Sequence, residues 1–161
     1  SLPERFELEY VGEDNERHRP VMLHRVLVGS MERFVGGLVE HYAGAFPVWL
    51  APEQVRVLPI SEHQEESARE LVAALQGAGI RATLDGRDTL SSRIRNAELL
   101  KVPFMAVVGE REVEAGTVAV RRRGAGRKQT VVDRMEFVAQ VEEEIRSRSL
   151  DPHWTPGGES E

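Results

Sequence analysis

The sequence predicts an α/β fold: a three-layer domain with a mixed, mostly parallel five-stranded sheet flanked by about three helices. Segments of strand character alternate with segments of helical periodicity over residues 54–109, an order typical of parallel strands joined by right-handed crossovers. Two further apolar segments flank a glycine-rich turn at residues 124–126 and predict an antiparallel pair. Before this domain, residues 1–44 predict a β-hairpin and a helix, which is too little to bury a core independently.

The N-terminal elements follow from their spacing of apolar residues. Residues 5–11 and 19–29 are predicted as the two strands of the hairpin, with a turn at 12–15. Next, one helical face carries apolar side chains, with Ser30 as its N-cap and Gly44 at its end. The face consists of Met31, Phe34, Val35, Leu38, Val39 and Tyr42. We expect residues 1–46 to be the end of a larger domain.

The elements of the α/β domain, predicted over residues 47–149, follow a connector. Residues 46–53 hold two prolines and a tryptophan, which indicates an ordered connector rather than a flexible linker. Strands are predicted at 54–60, 79–85, 103–109, 116–123 and 128–132, and helices at 62–78, 91–101 and about 133–148. Ser61 with Gln64 and Asp133 with Glu136 fit capping boxes at two helix starts. Residues 150–161 are predicted to be a disordered tail.

Positive charge is concentrated in one place. The 161-residue chain has a net charge of −6, which by itself argues against nucleic acid as a partner. Five positive charges and no acid lie within residues 121–128, so the rest of the chain carries −11. The five are Arg121, Arg122, Arg123, Arg127 and Lys128. Such an island is a candidate anion site, although a solvated hairpin is the simpler interpretation of the charge pattern alone.

Several functional classes are excluded by what the sequence lacks. There is no cysteine, hence no disulfide or thiolate metal site within the chain, which fits a reducing cytoplasm. No apolar run approaches 18 residues, and the first residues lack the layout of a signal peptide. Neither a P-loop nor a G-x-G-x-x-G motif occurs. The α/β domain shows no catalytic constellation of its own, which favours binding over chemistry there.

Two residues near the N-terminus are candidate site residues. Arg33 lies in the first turn of its helix, where the macrodipole prefers acids, and with Ser30 it could bind phosphate. A surface arginine tolerated at small cost is the alternative. His24 lies in an apolar segment, and a lone histidine there is more often a core residue than a metal ligand.

A long segment resembles one enzyme family. Residues 19–52, RPVMLHRVLVGSMERFVGGLVEHYAGAFPVWLAP, resemble the threonyl-tRNA synthetases, with GSMERF similar to motif 3 of class II synthetases. The resemblance continues through VRVLPIS, GIRATLD, RIRNAELLKVPFMAVVG and EVEAGTVAVRRR to EEEIRSRSL, and so covers residues 5–150. It implies that residues 1–46 end a class II catalytic domain and that residues 47–149 form an anticodon-binding domain.

The resemblance also implies roles for matched positions. Arg33 would hold ATP in the catalytic site, Ser30 would line the adenylate pocket, and His24 would be one zinc ligand whose partners are missing from this chain. Zinc would read the threonine hydroxyl, which valine lacks. Glu114 and Arg123 would contact anticodon bases, while Arg121, Arg127 and Lys128 would add attraction for the tRNA backbone. ATP and zinc are expected only in the full-length enzyme.

The leading interpretation is therefore part of a cytoplasmic, homodimeric threonine–tRNA ligase that recognises tRNA(Thr). This chain alone is expected to be inactive. A stand-alone RNA-binding protein and a small-ligand module of flavodoxin-like shape are the alternatives. One departure from the family lies at residues 86–89, Gly-Arg-Asp-Thr, where Leu-Arg-Asn-Glu is usual and the segment is one residue shorter.

Overall fold

A computed structural model describes residues 2–126 and 128–150. The chain forms two compact units, one ending at Gly37 and one beginning at Leu38. The predicted domain boundary at residues 46 and 47 stays a prediction, since these units are defined by compactness alone. The predicted tail, residues 150–161, lies outside the described residues apart from Leu150. Within the described ranges, no helix has the length and apolar character needed to cross a membrane.

The hairpin of the first unit is shorter than the sequence predicted. Helix α1 spans Leu2–Arg5, and strands β1 (Tyr10–Val11) and β2 (Arg17–His18) pair antiparallel. The predicted strand at 19–29 is wrong: this segment has no regular structure, and Val21 and Leu23 are 85% and 91% exposed. A strand needs a neighbour to accept its backbone hydrogen bonds, and the described part of the unit supplies none for this segment.

Helix α2 spans Met31–Tyr42 and confirms the predicted helix. The Ser30 hydroxyl accepts a 3.2 Å hydrogen bond from the Arg33 amide, so Ser30 caps the helix as predicted. After the helix, Gly44 has φ +76°, the left-handed conformation in which glycine costs least. The predicted apolar face exists but is not buried within this structure.

The second unit contains the predicted five-stranded mixed sheet. Its strands are β3 (Val55–Pro59), β4 (Ala82–Leu84), β5 (Phe104–Val108), β6 (Thr117–Arg122) and β7 (Thr130–Asp133). Their order is β4-β3-β5-β6-β7. Strand β3 pairs in parallel with β4 and β5, whereas β6 pairs antiparallel with β5 and β7. Every residue of β5 is buried, as predicted for a strand covered on both faces.

The helices cover both faces of this sheet. They are α3 (Glu65–Gly77), α4 (Leu90–Leu99), α5 (Glu110–Ala115) and α6 (Arg134–Arg146), with a 3-10 turn at Glu62–Gln64 before α3. Helix α5 was not predicted. The capping box predicted before α3 is present, because the Gln64 side chain accepts a 3.1 Å hydrogen bond from the Ser61 amide. The Asp133 carboxylate caps α6 by accepting from the amides of Met135 and Glu136.

Two apolar clusters make the domain three-layered. One face of the sheet packs against α3 and α6, through residues such as Leu71, Leu75, Phe137 and Val141. The other packs against α4 through a smaller cluster around Leu58, Met105 and Ala97. The connector is ordered, as predicted: Val48 and Ala51 are each only 3% exposed. Side chains that leave β6 therefore alternate between the α6 layer and the α4 layer.

Candidate nucleic-acid interface

The basic island begins at the end of β6, and its first three arginines, Arg121, Arg122 and Arg123, are not free surface charges. The side chain of Arg121 is 12% exposed and pairs with Glu98 of α4. On the opposite face, Arg122 Nη1 donates to Glu144 Oε2 of α6 at 2.8 Å, and the Glu144 side chain is 4% exposed. The Arg122 guanidinium also lies 4.7 Å above the ring of Phe104, within cation–π range. Two of the five positive charges are thus matched by acids inside the domain.

The donors of Arg123 are directed at backbone carbonyls. Nη1 donates to Lys101 O at 2.6 Å, and Nη2 donates to Ala45 O at 3.1 Å and Phe46 O at 2.6 Å. Burial, with a further contribution from the neighbouring Arg122 charge, lowers the pKa of Arg123. A two-point contact with a guanine edge would use Nη2, and both Nη2 bonds already go to carbonyls. This geometry does not favour base reading by Arg123, a role that stays a prediction.

A shallow concavity of about 320 Å³ opens beside the island. Its lining includes Glu98, Arg121, Arg123 and the turn glycines Gly124 and Gly126. Arg127 lies outside the described residues. Lys128 follows the turn with an exposed side chain, as a phosphate-binding lysine requires.

A second concavity, of about 560 Å³, lies at the carboxyl ends of β3 and β5. Strands β4 and β5 flank β3 on opposite sides, and open α/β sheets commonly bind ligands at such a point of reversal. The lining includes Ser61, His63, Gly109 and Arg111. Helix α5 starts at this concavity and leads into β6, and it carries Glu114 with an exposed side chain. One short helix therefore joins the concavity to the strand with the basic island.

The structure does not bring the N-terminal candidates together into a complete site. Ser30 caps α2 and Arg33 is exposed in its first turn. His24 lies exposed in the irregular segment and lines an apolar concavity of about 550 Å³. In the described part of the chain, no group of three His, Asp or Glu residues could hold a metal ion.

Sequence reasoning missed the partners of the arginines. Glu98 and Glu144 lie 23 and 22 residues from the cations they pair with, so no local spacing marks them. Arg93 was also missed; it is 4% exposed, and its Nη1 donates to Pro59 O at 2.7 Å and Asp85 O at 2.9 Å. A weak signal exists, because Arg93 occupies a position on α4 that the apolar periodicity assigns to the buried face.

A mixed α/β sheet with a basic hairpin and a concavity at its strand ends is an architecture suited to binding nucleic acid. Residues 54–144 match the family model described as an anticodon binding domain. The chain therefore belongs to the anticodon-binding domain family.

Similar proteins extend the match beyond that domain. The chain is 53% identical over 150 residues to the threonine–tRNA ligase of Desulforamulus reducens, an alignment that covers 92% of this chain and 24% of the relative. It is also 53% identical over 153 residues to a threonine–tRNA ligase of Thermus thermophilus, covering 94% and 23%. The chain thus spans about a quarter of the length of the curated relatives it matches.

Solved structures agree with the fold. The RNA binding domain of threonyl-tRNA synthetase from Cryptosporidium parvum superposes with a TM-score of 0.79 at 32% identity, covering 89% of this chain and 37% of that one. The prolyl-tRNA synthetase of the same organism gives 0.62 at 20% identity, covering 91% and 32%. At that identity the second likeness shows the fold alone.

Proposed function

We propose that this chain is the anticodon-recognising portion of a threonine–tRNA ligase and that it binds tRNA(Thr). The observation that carries the proposal is the identity of about one half to threonine–tRNA ligases over more than nine tenths of the chain. A stand-alone RNA-binding protein is less well supported, since the relatives are ligases about four times as long. The flavodoxin-like alternative has no support from the family match.

The RNA surface would run from the concavity at the ends of β3 and β5, along α5, to the β6–β7 hairpin that carries the basic island. Proteins recognise unstacked RNA bases by hydrogen bonds to the base edges and by stacking planar side chains on them. The exposed carboxylate of Glu114 could accept a hydrogen bond from a base amine. Arg121 lines the smaller concavity, where a phosphate or base could share its guanidinium with Glu98. Lys128, with Arg127, would supply attraction that is independent of sequence.

The first 46 residues would contribute to ATP-dependent threonylation, in which threonine is activated as an adenylate before transfer to tRNA. Arg33 and the cap of α2 suit the phosphates of ATP, because a helix N-terminus and a guanidinium both favour anions. His24 would serve as a zinc ligand only together with ligands from elsewhere in the ligase. The ligase would act in the cytoplasm as a homodimer.

Affinity for matched RNAs tests this proposal. The chain should bind tRNA(Thr) more tightly than the same tRNA with exchanged anticodon bases. Glu114→Gln should reduce this preference by about 1–3 kcal/mol. By contrast, Lys128→Gln should weaken both RNAs equally and reduce the salt slope by about one.

Titrations of both tRNAs at two salt concentrations give these quantities. Equal affinity of the unmodified chain for the two tRNAs would contradict anticodon recognition. Equal weakening of both by Glu114→Gln would instead contradict only the role of that residue.

A further inference from the structure

The segment between helix α2 and strand β3 is held by side chains along its whole length. We call residues 43–51 the joint. Six of its backbone carbonyls, those of residues 43, 45, 46, 48, 49 and 51, accept hydrogen bonds from side chains of the α/β domain. A loop that acts as a hinge has few such contacts, so the joint is built differently from a hinge.

The second half of the joint is held by Arg81 and Gln54. Arg81 Nε and Nη2 donate to Ala51 O at 3.0 and 2.8 Å, and Nη2 also donates to Trp49 O at 2.9 Å. The fully buried Gln54 donates from Nε2 to Val48 O at 2.9 Å, and its Oε1 accepts from the Arg81 amide at 2.8 Å. The same two residues therefore bind the joint and each other.

The first half is held by Arg123 and Lys101. Arg123 donates to Ala45 O and Phe46 O, while Lys101 Nζ donates to Ala43 O. Arg123 also donates to the carbonyl of Lys101, which joins the two cations. The clamping side chains come from just before β4, just after α4 and just after β6, so three parts of the domain converge on one short segment.

Charge strengthens the hydrogen bonds of this arrangement. Hydrogen bonds from a cationic donor are about twice as strong as neutral ones, and a planar guanidinium can bind several carbonyls with little loss of freedom. Below the bonded backbone, Val48 and Ala51 are buried against the core, so lifting the joint would also expose apolar surface. Consistently, the compact unit of the domain begins at Leu38, inside helix α2.

We propose that Arg81, Arg123 and Lys101 form a cationic clamp that makes the joint rigid, so that the end of α2 and the α/β domain move as one body. Building on the proposed function, the clamp would fix the position at which a tRNA held by its anticodon presents its other end to the catalytic part. Arg81 is then a positioning residue, and Arg123 holds the joint whether or not it also contacts tRNA. Arg123 sits both in the clamp and in the 320 Å³ concavity, which makes it the residue where the two roles must be separated.

Hydrogen–deuterium exchange on the full 161-residue chain tests the clamp without tRNA. The reporters are the amides of Leu50 and Ala51, which both donate to Pro47 O. Arg81→Lys and Arg123→Lys keep the positive charge but remove the planar guanidinium that binds several carbonyls. Each should accelerate exchange of joint amides about tenfold or more. Arg87→Lys, at an exposed site away from the joint, is the matched control and should change nothing, and amides of β5 should stay protected in all variants.

Kinetics of the ligase that contains this chain separate positioning from a purely structural role. Arg81→Lys should lower kcat for threonylation about tenfold and leave the KM for tRNA unchanged, whereas loss of a tRNA contact would raise KM. Unchanged joint exchange in both variants, or a raised KM at constant kcat for Arg81→Lys, overturns the clamp. Failure of the unmodified chain to bind tRNA would reject the proposed function while leaving the exchange result valid.

Discussion

At the scale of single residues, arginine side chains make many of the long-range polar contacts of the domain. Arg122 forms a buried ion pair, Arg123 and Arg81 bind carbonyls of the joint, and Arg93 lies buried beneath two strand ends. A run of basic residues usually indicates a solvated surface. Here the fold places carboxylates and backbone carbonyls around these basic side chains. The basic island therefore carries less unpaired positive charge than its sequence suggests.

The ion pair between Arg122 and Glu144 should be important for stability. Glu144→Gln leaves a buried guanidinium with weaker compensation, and breaking a buried pair typically costs about 3–5 kcal/mol. Denaturant unfolding followed by circular dichroism measures this loss. Glu143→Gln is the matched control, because Glu143 is the neighbour on the same helix, 55% exposed, with an exposed partner, and should leave the midpoint almost unchanged. Equal losses of unfolding free energy in both variants would mean that the buried ion pair stabilises the domain no more than the exposed one.

At the scale of elements, what could be predicted depended on periodicity. Helices α2, α3, α4 and α6 have apolar residues at helical spacing and recognisable caps, and β5 is an uninterrupted apolar run. Helix α5 was missed because its residues, EREVEA, contain too few apolar positions to show a period. Its signals are at its ends: the Glu112 side chain accepts from the Gly109 amide at 3.0 Å, and Gly116 has φ +68°.

The N-cap of α6 offers a direct test of these signals. Asp133 accepts from the amides of Met135 at 2.8 Å and Glu136 at 3.1 Å. Asp133→Ala should destabilise the domain by about 1 kcal/mol, since two helix amides lose their acceptor. Asp133→Ser keeps a capping oxygen and should recover most of the loss. Thermal unfolding of the three proteins gives the comparison, and similar values for alanine and serine would show that the cap is not the cause.

For the whole molecule, the sequence predicted the α/β domain better than the N-terminal unit. The domain buries its own core, so its apolar pattern and its structure agree for the five strands and for every helix except α5. In the N-terminal unit, residues 19–29 have a composition typical of a strand but form no regular structure, because strand formation depends on a partner outside the segment. The site was hardest to predict, since carbonyls and acids distant in sequence decide where each arginine points.

The last prediction concerns what the chain can do without further protein. His24 would supply one zinc ligand, and four-coordinate zinc requires three or four, so the purified chain should retain far less than one zinc per molecule while binding tRNA. It should also fail to support threonine-dependent pyrophosphate exchange, because Arg33 alone cannot assemble an ATP site. Metal analysis and the exchange assay measure both properties, with the Thermus thermophilus threonine–tRNA ligase as the positive control for the exchange assay. Stoichiometric zinc, or exchange above background, would contradict this prediction.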